Sequence, residues 1–558
     1  MRNDLSDRLL KRIFSSMVNG DTSSKKQRRI TRILILIIFL LIPPAFLINL
    51  SELRYIDDES IRAIVALEMN ISGDYITPTI GGDYYYKKPP VFNWLISLAY
   101  IVSGNYSELA SRSVNLIFLF IYALTVFLVI KKRYGIRIGY LTAFLFLVSG
   151  RIIIYESLFG LIDITYSWLI FLNFILIWKY IKREQYLPLF LVSYAITAAT
   201  FLLKGLPPIA FQAITLIIAS LSVRKLRILL SREHLAGICL FFLTTGSYYY
   251  AYSVRNPGEI TTLLTTLYHE SADKSAVSFG ITDIFTHIFT YGFQIFYSYV
   301  PGTLVIFFFL KKQPFKLIKN DPFLLYLSRV FLFNIIIYLV SPETFMRYVL
   351  MLMPIPTLLF VIHFLKHVEE RSIHGRIFQS IFLLVTLILF LGLPAFGFIE
   401  ATGFVELVWL KITVLMLAFA LVLPAMLKLR DRRIELVVIS CLLMRIAFNW
   451  FILPSRTNGH WEIRAKQEAR RIAALTNDSP LYELTNDAGE TRYTPVVLLC
   501  YMTAVKQEII HDLNGLSRDG YYLVYDPVDR FADYKVDSLV ARPDLTLSLL
   551  KINKNQNE

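Results

Sequence analysis

Long apolar runs recur along this 558-residue chain, and they constrain its fold more than any other feature. Many of these runs reach about 18 residues or more, enough for a helix to cross a bilayer core of about 30 Å. Hydrophobic residues make up 55% of the chain and charged residues only 18%, a smaller charged share than in a typical soluble protein. The pattern predicts an all-α polytopic membrane protein.

About thirteen membrane helices are predicted, and the loops between them predict their orientation. The predicted spans are 31–50, 108–130, 136–154, 161–181, 187–203, 206–222, 234–253, 283–310, 322–340, 347–365, 376–397, 405–427 and 434–453. If the basic N-terminus is cytoplasmic, every inner loop is rich in Lys or Arg, whereas the outer loops are poor in both. Thirteen crossings then place the C-terminus on the outer side.

The net charge of +15 is also explained by the basic inner loops of a membrane protein. Lys and Arg cluster in short loops between apolar runs, as the positive-inside rule requires. The charge therefore indicates topology and contact with membrane lipids, and we expect no nucleic-acid partner. The three cysteines, Cys239, Cys441 and Cys500, form neither a disulfide framework nor a zinc-binding spacing.

Three regions are expected. They are a basic cytoplasmic segment 1–30, a membrane domain 31–453 with long outer loops 51–107 and 254–282, and an outer domain 454–558. In the outer domain, "HWEIRAKQEARRIAAL" predicts an amphipathic helix, and "SPLYELTND", "GYYLVYDP" and "LTLSLLKI" predict strands. We therefore expect a small extracytoplasmic α/β domain after the membrane helices.

Asp57, Asp58 and Glu59 follow the first predicted span, at the start of a predicted interfacial helix on the outer side. One interpretation is that these acids cap the helix and complement the positive end of its dipole. The other is that one carboxylate is a general base at the membrane surface. The residues alone leave both interpretations open.

Cations from distant stretches fall on the same predicted face. Lys87 and Lys88 precede two prolines in "GGDYYYKKPPVFNW", Lys204 ends the fifth span, and Arg347 opens the tenth with Tyr348 beside it. The lysines could be solvated or could complement a helix end. Because a cation is disfavoured at a helix N-terminus, Arg347 is better explained as an anion ligand.

Four further charged or titratable residues lie in or near the predicted spans and loops. Asp163 begins the fourth span, where an acid is electrostatically inexpensive. His269 and Glu270 lie in the second long outer loop and are too few for a metal site. Arg445 lies deep in the last span and must face protein or water, in an ion pair or in a functional role. A cavity lined by such acids and cations at the outer leaflet suits a substrate with a phosphate and an apolar tail.

The order of these motifs resembles the GT-C glycosyltransferases, in the branch of lipid A aminoarabinose transferase and bacterial relatives of protein O-mannosyltransferases. The resemblance spans residues 30 to 365. It rests on Asp58-Glu59, Ala63, Glu68-Met69, Ser72-Gly73-Asp74-Tyr75, Pro78, Gly82, Tyr86, Lys88-Pro89-Pro90 and Trp94, then on Asp163, "LLKGLPP" and "RYVLMLMPIP".

This resemblance implies inverting transfer of a hexose or pentose from a polyprenyl-phosphate donor, by an enzyme of the cell inner membrane. The acceptor would be lipid A, lipopolysaccharide, another glycolipid or protein. The family's catalytic Asp falls on Asp58, with Asp57 as the second candidate. Donor-phosphate contacts fall on Lys88, Lys204, Arg347 and Tyr348, and site-shaping roles on Glu59, Asp163, Lys87, His269 and Glu270.

One departure concerns metal dependence. The family commonly has Glu at the position of Lys87, so a requirement for a divalent cation is not predicted and the cofactor stays open. A transporter or flippase of lipid-linked sugars and a non-catalytic assembly subunit are the competing hypotheses. The chain shows no convincing internal repeat, and most candidate groups cluster at the outer boundary and not at the midplane, which favours the enzyme over a transporter.

Overall fold

The structure is a computed structural model. It describes residues 25–56, 58–273, 279–310, 312–403, 405–457, 461–477, 479–484, 494–513, 515–525, 535–542 and 545–552. Asp57, the second candidate for the catalytic acid, therefore lies outside the described residues, as does most of the basic segment 1–30.

The described part of the chain is dominated by helices. The α-helices are α1 (Lys25–Leu47), α2 (Asp58–Ser72), α3 (Val91–Ser103), α4 (Glu108–Tyr134), α5 (Ile136–Leu147), α6 (Asp163–Lys182), α7 (Tyr186–Lys204), α8 (Pro207–Ser222), α9 (Arg232–Arg255), α10 (Ile260–Ala272), α11 (Ile281–Ser298), α12 (Lys312–Asn320), α13 (Pro322–Leu339), α14 (Pro354–Glu369), α15 (Ile373–Gly392), α16 (Val408–Lys428), α17 (Arg433–Ala447), α18 (Leu453–Thr457), α19 (Trp461–Thr476) and α20 (Val496–Lys506).

Shorter helical turns connect several of these helices. The 3₁₀ turns are Leu226–Leu230, Gly302–Phe307, Met346–Leu352, Leu393–Gly397, Glu400–Thr402 and Arg430–Arg432, and the π-helical turns are Ile152–Glu156 and Phe448–Ile452.

Among the described residues, eight helical segments are long and apolar enough to cross a membrane. The turn Met346–Leu352 and helix α14, bent by 59° at their junction, make a ninth if they are one span. The other four predicted spans are shorter or less apolar. For example, α8 has only 16 residues, and 136–154 divides into α5 and part of a π-helical turn. The chain is thus a multi-pass helical protein, and the number thirteen stays a prediction.

The expected C-terminal α/β domain is present. Its strands are β3 (Leu481–Leu484), β4 (Asp512–Leu513), β5 (Gly520–Tyr525), β6 (Lys535–Arg542) and β7 (Leu545–Ile552), after a small hairpin of β1 (Thr79–Ile80) and β2 (Asp83–Tyr84) in the first outer loop. The sheet has the order β4-β3-β5-β7-β6. Strand β3 pairs in parallel with β4 and β5, whereas β7 pairs antiparallel with β5 and β6.

Helix α2, predicted as an interfacial helix, is largely enclosed by other parts of the protein. Its residues Ala63, Val65 and Met69 are almost fully buried and share one hydrophobic cluster with Ala469 of α19 and Leu498 of α20. The outer domain therefore packs directly on the helix that begins with Asp58.

A buried ion pair fixes the amino end of α2. Arg112 of α4 donates from Nε and Nη2 to the two oxygens of Glu59 at 2.7 and 2.8 Å, and both side chains are at most 1% exposed. The N–H of Gly160 also donates to Glu59, at 2.7 Å. Arg112 donates in addition to the carbonyls of Leu50, Leu53 and Arg54. The chain before α2 is thereby held against α4.

We expect Arg112→Met to lower the free energy of unfolding by about 3–5 kcal/mol, because Glu59 would remain as an uncompensated buried charge. Thermal unfolding of the detergent-solubilised protein measures the loss. The matched control is Glu184→Gln, which breaks the exposed pair with Lys225 and should leave the melting temperature unchanged. Equal shifts for the two variants would contradict the anchoring role of Arg112.

Candidate functional site

Four charged side chains from distant parts of the sequence meet in alternating order at the ends of helical segments. Arg347 donates from Nη2 to Oδ2 of Asp58 at 2.9 Å, and its Nε lies 3.1 Å from Oδ2 of Asp163. Lys204 donates from Nζ to Oδ1 of Asp163. The order is acid, cation, acid, cation, and we call this set the charge chain: Asp58, Arg347, Asp163 and Lys204.

Helix ends place these side chains together. Asp163 is the first residue of α6 and Lys204 the last of α7, so each complements the dipole of its own helix. The chain leaves α7 through Gly205, whose φ of 88° suits glycine, and Pro207 then begins α8. Arg347 lies in the 3₁₀ turn Met346–Leu352, just before the bend into α14.

The two acids of the charge chain, Asp163 and Asp58, differ in their exposure. The side chains of Asp163, Lys204 and Arg347 are only 4%, 10% and 9% exposed, whereas that of Asp58 is 53% exposed. Asp163 is therefore committed to two buried cations, which would otherwise repel one another. Asp58 is the acid of this set that a substrate can contact directly.

Aromatic rings cover the cations. Nζ of Lys204 lies 3.8 Å from the centroid of the Tyr348 ring and 5.0 Å from that of Tyr166. The Arg347 guanidinium lies 4.4 Å from the centroid of Phe345. Such contacts stabilise a cation away from water. Tyr348, predicted from the sequence as a phosphate contact, lies beside Lys204 in this arrangement.

Lys88 forms a second pair close to the charge chain. Its Nζ lies 3.0 Å from Oε2 of Glu270 on α10, and each side chain is 23% exposed. Lys88 is within electrostatic range of Lys204. The hairpin before Lys88 is fixed by Glu68, which accepts hydrogen bonds from Thr79 and from the N–H groups of the hairpin turn at 2.5–3.2 Å.

Tyr85 lies near both Asp58 of the charge chain and Glu270, the partner of Lys88. Its hydroxyl accepts a hydrogen bond from Nη2 of Arg62 at 2.5 Å. Burial raises the pKa of Tyr85; Arg62 opposes this shift, and the charges of Asp58 and Glu270 add to it. Tyr85 is thus close enough to both Asp58 and Glu270 to be affected by the charge of each.

Other residues predicted from the sequence lie apart from this cluster. Glu59 is in the buried pair with Arg112. Lys87 is exposed and makes no hydrogen bond or ion pair with the described residues. His269 is 67% exposed, and its Nδ1 lies 3.9 Å from Oδ1 of Asp273.

Two residues near the charge chain, Glu156 and Arg151, were not identified from the sequence. Glu156 is 1% exposed, accepts from Nε of Arg151 at 2.6 Å, and lies within electrostatic range of Asp163 and Arg347. It lies in the π-helical turn Ile152–Glu156, and Arg445 donates to the carbonyl of Ile153 in that turn. Glu156 lies in a predicted outer loop, where a single acid is not unusual. Arg445 lies inside a predicted membrane span, where a charge indicates a partner.

Within the described ranges, no group of three or more His, Cys, Asp or Glu side chains is arranged to hold a metal ion. The arrangement can instead offer cations to an anionic group and one accessible carboxylate to a neighbouring hydroxyl. These cations and this carboxylate are those of the charge chain and of Lys88.

We expect Asp163→Asn to destabilise the protein by about 3–5 kcal/mol, because it leaves two buried cations without their shared partner. Asp58→Asn should change the melting temperature much less, since Asp58 is half exposed. Thermal unfolding of both variants measures the difference. The double variant Asp163→Asn/Lys204→Met should be less destabilised than the sum of the two single variants. An Asp58→Asn protein as unstable as Asp163→Asn would contradict this division of roles.

Parts of this chain are similar in sequence to known proteins. Residues 87–250 match the family model described as dolichyl-phosphate-mannose-protein mannosyltransferase. That stretch contains Lys88, Asp163 and Lys204. An uncharacterized protein of Aquifex aeolicus is 26% identical over 220 residues, which are 38% of this chain and 44% of that protein. The match thus spans less than half the length of that relative.

Solved structures extend the similarity over nearly the whole chain. The crystal structure of ArnT from Cupriavidus metallidurans bound to undecaprenyl phosphate gives a TM-score of 0.66 at 17% identity, covering 93% of this chain and 98% of that one. The same protein in the apo state gives 0.65 with the same coverage. The structural match at this identity establishes the fold. The resemblance predicted from the sequence motifs is confirmed: the chain has the GT-C fold and is similar to ArnT and to the dolichyl-phosphate-mannose-protein mannosyltransferases.

Proposed function

We propose that this chain is an integral-membrane glycosyltransferase of the cell inner membrane, with a cytoplasmic N-terminus and a periplasmic site. It would transfer a sugar from a polyprenyl-phosphate donor to a lipid or protein acceptor. The observation that carries the proposal is the charge chain, in which the half-exposed carboxylate of Asp58 adjoins buried cations at the outer ends of the helices.

The donor would place its phosphate against the cations and its polyprenyl tail along the helices. Arg347 and Lys204 supply fixed positive charge, and Lys88 supplies a third cation on the outer loop. Tyr348 orients Lys204 through its ring. The crystal structure of ArnT with undecaprenyl phosphate supports this type of ligand, because the two proteins share a fold.

In the transfer step, the acceptor oxygen forms a bond to the anomeric carbon of the sugar. The bond from that carbon to the phosphate oxygen breaks, and its electron pair leaves with the polyprenyl phosphate. Asp58 takes the proton of the acceptor hydroxyl. The leaving phosphate gains one negative charge, which fixed cations stabilise without reorganisation. Attack from the side opposite the phosphate inverts the anomeric configuration.

Arg347 would link donor binding to this step. In the structure it contacts both Asp58 and Asp163. A donor phosphate competes with Asp58 for the guanidinium, and an Asp58 carboxylate with a weaker hold on Arg347 is a better proton acceptor. Asp163 keeps Arg347 in position while the exchange takes place.

We expect Asp58→Asn to reduce transfer by at least about 10²–10⁴-fold, the usual contribution of a positioned general base. The measurement compares intact masses of glycolipids, lipopolysaccharide and glycoproteins from cells with wild-type protein, Asp58→Asn or no protein. The variant and the null strain should lose the same sugar-sized mass, which names both sugar and acceptor. The exposed outer acid Asp273 provides the control variant Asp273→Asn, expected to retain the modification.

A different result would point to another function. If the null strain loses a species that the folded, membrane-inserted Asp58→Asn protein retains, Asp58 is not the base. A transporter of lipid-linked sugars would then be the better hypothesis, and Asp57→Asn the next variant.

Glu270 should compete with the donor phosphate for Lys88, because the two are paired at 3.0 Å. We expect Glu270→Gln to strengthen binding of undecaprenyl phosphate about two- to fivefold, the worth of a partly exposed ion pair. Lys88→Gln should weaken it. Native mass spectrometry of the purified protein titrated with undecaprenyl phosphate measures both. Asp273→Asn is the control, and weaker binding by Glu270→Gln would contradict the competition.

A further inference from the structure

We propose that a cavity between the outer domain and the first outer loop binds the anionic headgroup of a membrane lipid. The cavity has a volume of about 570 Å³, within the usual range of small-molecule sites. Its walls come from the end of α3, the start of α4, and α19 and α20. Side chains that line it include Tyr100, Tyr106, Glu108, Lys466, Arg470 and Gln507.

The charge of the cavity favours an anion. Glu108 is 4% exposed and is neutralised by Lys466, whose Nζ lies 2.8 and 3.1 Å from its two oxygens. The hydroxyl of Tyr501 also donates to Glu108, at 2.8 Å. Arg470 is exposed and makes no hydrogen bond or ion pair with the described part of the chain. The lining thus presents one uncompensated guanidinium, a group that binds phosphate well.

The surroundings of the cavity favour a lipid over a soluble anion. Ile101 lines the cavity, and together with Leu98 and Val102 it forms an apolar strip on α3 in which the three residues are 59%, 56% and 79% exposed. Residues three and four apart share one helix face. In a membrane protein such a strip faces acyl chains, so an amphiphile could place its tail there and its headgroup in the cavity.

The inner wall of the cavity separates it from the charge chain. The hydroxyls of Tyr100 and Tyr55 lie 3.0 Å apart, and the N–H of Tyr55 donates to the hydroxyl of Tyr501 at 3.3 Å. Tyr55 is 1% exposed and precedes Asp58 by three residues. The lipid site therefore lies behind the segment that carries Asp58. It does not depend on the proposed transfer reaction.

Native mass spectrometry of the full-length protein in detergent tests the proposal. The probes are dioleoylphosphatidylglycerol, the zwitterionic dioleoylphosphatidylcholine, and inorganic phosphate. We expect saturable binding of phosphatidylglycerol that is about tenfold weaker in Arg470→Gln, since one charge-assisted hydrogen bond is lost. Phosphatidylcholine and inorganic phosphate should each bind at least tenfold more weakly than phosphatidylglycerol.

Two further variants control for charge and shape. Arg464→Gln removes a cation from another side of α19 and should leave binding unchanged. Ala504→Phe fills the cavity wall without a change of charge and should weaken binding as Arg470→Gln does. Equal effects of Arg464→Gln and Arg470→Gln, or equal affinity for the two lipids, would overturn the site. Equal affinity for inorganic phosphate would overturn the lipid assignment in favour of a soluble phosphate.

Discussion

The carboxylate of Asp163, buried between Lys204 and Arg347, is the interaction on which the rest of the site depends. Its two oxygens hold one cation each, and all three side chains are at most 10% exposed. Removing charges from water is costly, so such a set persists only when each charge has a close partner. Asp163 thus keeps two cations near each other at the ends of three helical segments, where we propose that the donor phosphate binds.

These two contacts also help to position the start of α2. Arg347 reaches from Asp163 to Asp58, and Asp58 begins a helix that the outer domain encloses. The Glu59–Arg112 pair provides a second contact, which holds the same turn of α2 against α4. Adjacent residues of one helix start thus have different tasks: Glu59 holds the backbone and Asp58 faces the open side.

The sequence was informative about the fold and about which distant residues lie close together. Apolar runs and basic loops predicted the helical class, and the motifs predicted Asp58, Lys88, Asp163, Lys204 and Arg347 as neighbours, although Asp58 and Arg347 are 289 positions apart. Hydropathy does not show which of several adjacent acids at a helix start is buried. The residues alone therefore left Asp58 and Glu59 undivided, and only the family resemblance gave them different roles. The pairing of Glu270 with Lys88 was not foreseen.

Strands β4 and β6, the partner of Arg112 and the enclosure of α2 were not predicted from the sequence. Strand β4 has two residues and β6 carries charged residues, so neither showed a strand pattern. Arg112, in contrast, lies inside the predicted span 108–130, where a charge is costly and indicates a partner. The enclosure of α2 follows from tertiary packing with the outer domain, which local periodicity does not encode.

The most direct test of the account is an experimental structure of the protein in a lipid nanodisc with undecaprenyl phosphate. We predict that the phosphate contacts Lys88 and Arg347, that the Lys88–Glu270 pair opens, and that Asp163 keeps its contacts with Lys204 and Arg347. A phosphate bound away from these cations, or a donor complex in which Asp58 lies remote from the phosphate, would contradict the assignment of this site to sugar transfer.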